Sequence, residues 1–119
     1  MKIFLSCFLV SILFFQSCSH KYDRQKIWAL IKSDSVNSII EATIEIQEAK
    51  DTGMVDALMY KSEDPLITHL SKYKGMSVYQ IKMLALKSVT GIAPPKEITY
   101  TVDTAVIHFY RRKLQVKSA

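Results

Sequence analysis

Cysteine is nearly missing from this chain of 119 residues. Only Cys7 and Cys18 occur, both before residue 20, and Cys7 sits inside an N-terminal apolar run. Everything downstream of Cys18 therefore has no thiol pair to oxidise, no thiolate nucleophile and no zinc-binding cysteine cluster. Glycine is as scarce, and the three that occur, Gly53, Gly75 and Gly91, fall between helical patterns and never inside one. No glycine-rich phosphate loop and no serine in a nucleophile elbow is present. The histidines are three, His20, His69 and His108; no two of them stand at the i+3 or i+4 spacing of a helical metal site, and the one carboxylate at that spacing, Asp23 after His20, is too few ligands for a site. A catalytic constellation is absent, and the chain is read as non-enzymatic, with no metal and no diffusible cofactor.

With 49% apolar residues, the chain is long enough for one domain with a real core and too apolar for general disorder. Its first 17 residues are set apart. Lys2 followed by the run from Ile3 to Phe15, broken only by Ser6 and Ser11, has the charged start and apolar middle of an export signal. That run falls short of the roughly 20 apolar residues that span a bilayer.

The segment ends Phe15-Gln16-Ser17-Cys18 and resembles the bacterial lipoprotein signal, in which cleavage leaves a cysteine as the new N-terminus. Small Ser17 fits the pattern, whereas Phe15 and Gln16 depart from its usual leucine and small residue. The resemblance implies residues 1–17 as signal, a covalent lipid on Cys18, residues 18–22 as a short tether and 23–116 as the folded domain. It also implies anchoring to a bilayer in the cell envelope, where nucleic acid is not met. Ordinary secretory cleavage near Ser17 or Ser19 is the alternative.

Helical periodicity dominates the chain beyond the tether. Asp23 is placed to cap a helix to about Lys32 with Trp28 as a core anchor, and a second helix runs from Val36 to Lys50. Its apolar side is Val36, Ile39, Ile40, Thr43 and Ile46, with Glu41, Glu45 and Glu48 opposite. Ile40, Ala42, Ile44 and Ile46 also alternate like a strand, and length favours the helix. After Asp51-Thr52-Gly53 a helix restarts over 54–61. Asp64 as N-cap and Pro65 at the first helical position then signal another short helix, Pro65 to Lys74.

The most apolar helix is SVYQIKMLALKSVTG, Ser77 to Gly91. Val78, Ile81, Ala85 and Val89 form one face and Tyr79, Met83 and Leu86 another, with Leu84 also expected in the core. Only Gln80 and Lys87 mark a polar strip, so it should be covered on more than one side. Ser77 suits the N-cap and Gly91 the left-handed C-terminal position. Past Pro94-Pro95 an extended segment is expected near 96–102. Asp103 then caps a last helix with Val106, Phe109 and Tyr110 inward, a strand over 106–110 being the rival.

The fold class is thus all-α, and Asp34 to Gly91 resembles the HEAT-type helical repeats. The cues are the Ser33-Asp34-Ser35 start before Val36, Ile39-Ile40-Glu41-Ala42, the tight turn at Gly53, then Val55, Leu58-Met59 and Asp64-Pro65. Ala42 and Ala85 stand 43 positions apart, inside the family's period of about 40–47 residues. The resemblance implies short antiparallel helix pairs stacked HEAT- or armadillo-like, with a groove for a protein partner; a small helical bundle with the same pattern of helix pairs is the alternative.

Charge is bipolar. Residues 34–64 hold eight acidic residues against Lys50 and Lys61, and residues 65–119 hold nine basic residues against Glu97 and Asp103. The basic cluster Arg111, Arg112, Lys113 and Lys117 is a candidate contact surface for anionic lipid or an acidic partner, unless it merely complements a helix C-terminus. Binding of a protein or structural partner is the first functional expectation. The second is a small-molecule-binding or enzyme-accessory protein with Trp28, Tyr79 or Tyr100 lining a pocket.

Overall fold

The computed structural model describes residues 21–116. The expected signal, His20, Cys18 and Lys117 lie outside them. Within them the chain is all-α: α1 Arg24–Ile31, α2 Val36–Ala49, α3 Val55–Met59, α4 Val78–Thr90 and α5 Thr104–Leu114, with 3-10 turns at Thr52–Met54 and Ser71–Tyr73. The helix readings of 36–49 and 104–114 stand over their strand rivals, because each stretch buries one helical stripe. In α2 that stripe is Ile39, Ile40, Ala42, Thr43 and Ile46, and in α5 it is Val106, Ile107 and Tyr110. Phe109, expected inward, is only half-buried.

Each long helix begins on a side-chain cap. Asp23, Ser35, Ser77 and Asp103 accept from backbone N–H groups two or three residues on, which satisfies donors that the first turn leaves free. The C-termini are less uniform. Gly91 closes α4 in the left-handed region as expected, at φ 72°, but α2 closes on Lys50 at φ 52° and α5 on Gln115 at φ 54°. Gly53 lies within a 3-10 turn and needs no left-handed conformation.

α4 is the hub. It packs against α2, α3 and α5, while α1 lies on α2 and α3 meets α5. Both predicted apolar faces are buried, and Lys87 is exposed. Two residues depart from the wheel. Leu84 is half-buried beside a groove, and Lys82 is buried at 1% exposure.

The helix expected over 65–74 does not form, apart from the 3-10 turn at Ser71–Tyr73. Asp64 Oδ1 accepts from Leu66 N, closing a local turn where a helix cap was expected. The Asp64 and Leu66 carbonyls then take the N–H groups of Tyr79 and Val78 at 2.9 and 2.8 Å, and Thr68 N donates to Met76 O. Ile67 pairs with Ser77 in a single antiparallel bridge. Residues 64–68 thus supply acceptors to the first turn of α4, and the same carbonyls cannot also serve a helix of their own. Leu66 and Ile67 stay exposed as a result.

No strand forms in 96–102. The connection from α4 to α5 is irregular, with bends at Pro95-Lys96 and Tyr100-Thr101. It is pinned at both ends, where Tyr110 Oη donates to Ile92 O at 2.7 Å and Tyr79 Oη to Asp103 O at 3.5 Å.

A second fastening joins Tyr22 and Arg24, at the beginning of α1, to the turn after α2. Asp51 accepts from Tyr22 Oη at 2.8 Å, from Arg24 Nε and Nη2, and from Gly53 N. Arg24 above all holds the Asp51 carboxyl below its usual range, helped by Tyr22 and Gly53 and opposed by burial. Burial and the bond to Asp51 push the Tyr22 phenol up. Stability linked to Asp51 is therefore present above its ordinary value of 3.8 and is lost as pH falls through the depressed one. Asp51→Ala should lower the urea midpoint at neutral pH and flatten the acid limb. Equal acid limbs for variant and wild type would show that the clasp contributes nothing. The effect is expected to be modest because Arg24 is largely in water.

Candidate functional site

Where α1, α3 and α5 converge, they leave a cleft of about 480 Å³ between Trp28, Asp56, Met59, Tyr60, Arg111 and Val116. A second, of about 610 Å³, adjoins it and shares Met59, Tyr60 and Arg111, adding Lys61, Glu63, Ile107 and His108. Sequence periodicity brings these residues together. Ile27 and Ile31 turn one face of α1 into the core, which leaves Trp28 at its margin, half-buried and not the core anchor expected. Met59 ends α3, and Tyr60 leaves the helix in an extended conformation at ψ 122°.

Tyr60 is held from two sides. Its ring meets Trp28 edge-to-face at 6.1 Å and 79°, a preferred aromatic geometry. Its carbonyl accepts from Lys82 Nζ, which reaches out of α4. Burial pulls the Lys82 ammonium down to about 8, with Asp64 and Glu63 favouring its charge and Lys61 opposing it. Cations also lie over the aromatic walls: Lys32 Nζ is 5.1 Å from the Trp28 ring and Lys61 Nζ 5.6 Å from the Tyr60 ring.

The basic cluster read from the sequence divides. Arg112 and Lys113 are exposed on α5, Lys113 lying over Phe109 at 5.9 Å. Arg111 turns to the clefts, and its Nε is buried with no partner. Of the aromatic residues expected to line a pocket, Trp28 does so. Tyr79 is fully buried and Tyr100 is 61% exposed. His69 and His108 are exposed, and the described residues contain no group of three potential metal ligands.

Sequence reading did not find Tyr60 or Lys82. Lys82 was detectable, since it stands one turn from Val78, Tyr79 and Leu86 on the apolar side of α4. Tyr60 had no such signal, because its position depends on where α3 stops. Apart from the clefts, a groove lined by Ile44, Tyr73, Met76, Ile81 and Leu84, with Glu48 and Lys72, crosses α2 and α4.

No protein-family model, curated protein or solved structure matches the chain. Among the described residues, no helix is long and apolar enough to cross a membrane.

Proposed function

We propose that the chain is a lipoprotein of the bacterial cell envelope, anchored by acyl chains on Cys18, whose HEAT-like helical domain binds a protein or structural partner without catalysing a reaction. The observation that carries the reading is the order of parts. A charged start and an apolar run lead to Ser17-Cys18, and the folded domain is already engaged at Tyr22. That spacing suits a domain held close to a surface, and two or more acyl chains give durable anchoring at about 0.8 kcal/mol per buried CH₂. The packing of α1 on α2 and of α2 on α4 is compatible with stacked helix pairs. Exposed Arg112 and Lys113, with Lys117, supply charge for an acidic partner or anionic lipid.

The test is the fate of Cys18. Cys18→Ala should abolish incorporation of labelled fatty acid and leave the protein as uncleaved precursor or free of the membrane fraction. Mass spectrometry showing an unmodified mature N-terminus at another residue would refute the anchor. The cleft beside Trp28 favours a second reading, a small-molecule-binding or enzyme-accessory protein of the same compartment.

A further inference from the structure

Among the described residues Arg111 makes no ion pair. Its side chain forms part of the shared wall of both clefts, its Nε is closed off from solvent, and no described residue gives its guanidinium a hydrogen bond or ion pair. Desolvating a charged donor without an acceptor costs stability, which a bound acceptor would restore. A planar guanidinium fork matches a carboxylate in particular.

The surroundings narrow the ligand. Trp28, Tyr60, Met59 and Val116 offer an apolar bed, and Lys32 and Lys61 add positive charge over its rings. Asp56 and Glu63 line the walls. Arg111 and Lys61 face Asp56 and Glu63 along the lining, and Lys32 over Trp28 and Lys82 behind Tyr60 leave the surroundings net positive. A carboxylate with apolar flanks matches both that charge and the aromatic bed. The two cavities share Arg111 in their lining and, at about 480 and 610 Å³, offer more room than a small acid fills.

We infer that the paired clefts bind an acidic peptide segment of a protein partner, one glutamate or aspartate carboxylate seated on Arg111 and a neighbouring apolar side chain against Trp28 and Tyr60. This deepens the proposed partner-binding role and rests on it. Arg111 is the anchor, and Arg112, one position on and exposed, lies outside the lining of both clefts.

Trp28 is the only tryptophan in the chain, so its emission reports on this cleft. The full chain in detergent is titrated with a blocked leucine-glutamate-leucine tripeptide and with its glutamine twin. A saturable change with the glutamate peptide is expected, weaker for the glutamine twin by about tenfold or more. Arg111→Gln should erase that preference and Arg112→Gln should keep it. No response, equal response to both peptides, or a preference that survives Arg111→Gln overturns the inference. If Arg111→Gln loses its helical circular dichroism, the comparison of the two peptides on the wild type decides alone. Hexanoate is the third ligand, and a saturable response to it without one to the glutamate peptide would reassign the site to a small acid and overturn the peptide. Capture of a partner by the full chain separates the two readings. Capture that Arg111→Gln leaves undiminished defeats the cleft and spares the partner-binding role, while no capture by the wild type defeats the role itself.

Discussion

Leu86→Ala should destabilise the domain by about 2–5 kcal/mol, through lost transfer energy and the cavity left in the middle of α4. Leu86 is fully buried and belongs to the face of α4 that neighbouring helices cover. A nearby position is the control. Leu84 lies half-buried on the groove with Ile44 and Met76, so Leu84→Ala should cost only about 1 kcal/mol, the side chain having less area to re-expose. Lys87→Ala should cost least, because Lys87 is in water. Urea midpoints at constant slope measure all three. Equal midpoints for the Leu86 and Leu84 variants would mean that α4 is not the hub of the core.

Lys82→Met is expected to stabilise the protein near neutral pH by about 2 kcal/mol and to remove a rise in stability toward alkaline pH. Burial draws the Lys82 ammonium from 10.5 to about 8, so between those values the unfolded chain binds the proton more tightly than the folded one. The cost of the buried charge is full below pH 8 and is relieved as pH rises toward 10.5. At 1.36 kcal/mol per unit the full difference is about 3 kcal/mol. Methionine fills a similar volume without charge, at the expense of the bond to the Tyr60 carbonyl, worth about 1 kcal/mol. From about pH 7 to about pH 9.5 the wild type should gain about 2 kcal/mol and Lys82→Met nearly nothing. Beyond pH 10 the sign reverses. The Tyr110 phenol is pushed by burial to about 12, and Tyr22 and Tyr79 are raised as well, so the unfolded state loses those protons first. A Lys82→Met protein with the wild-type alkaline rise would show that Lys82 is not the group responsible.

The elements read most clearly from the sequence are those whose evidence is local. Asp23, Ser35, Ser77 and Asp103 each stand one residue before a segment with apolar residues at helical spacing begins its helix, and all four cap helices. Gly91 has no side chain to strain and closes α4 where the pattern ends. Asp64-Pro65 carried the same local signal and no helix formed there, because the carbonyls of Asp64 and Leu66 serve the first turn of α4, more than ten positions away. A one-dimensional pattern holds no information about that competition. The site was legible in the same partial way. The basic end of α5 and Trp28 stood out, but which face of α5 carries Arg111 toward Trp28 depends on how α5 packs against α3, and Tyr60 enters only because α3 is five residues long.

The junction of Tyr22 and Arg24 with Asp51 sets how tension would travel through the domain. A pull on the chain ahead of residue 22 does not first peel α1 from its end. It reaches the carboxylate at the foot of α2 through two side chains, so α1 and the turn after α2 are loaded together. Rupture then requires that the phenol bond and the guanidinium pair fail before Ile27 and Ile31 are drawn off the core. A domain held by its N-terminus would behave as a knot tightened at one point, and Asp51→Ala would turn that shear-loaded attachment into one that unzips.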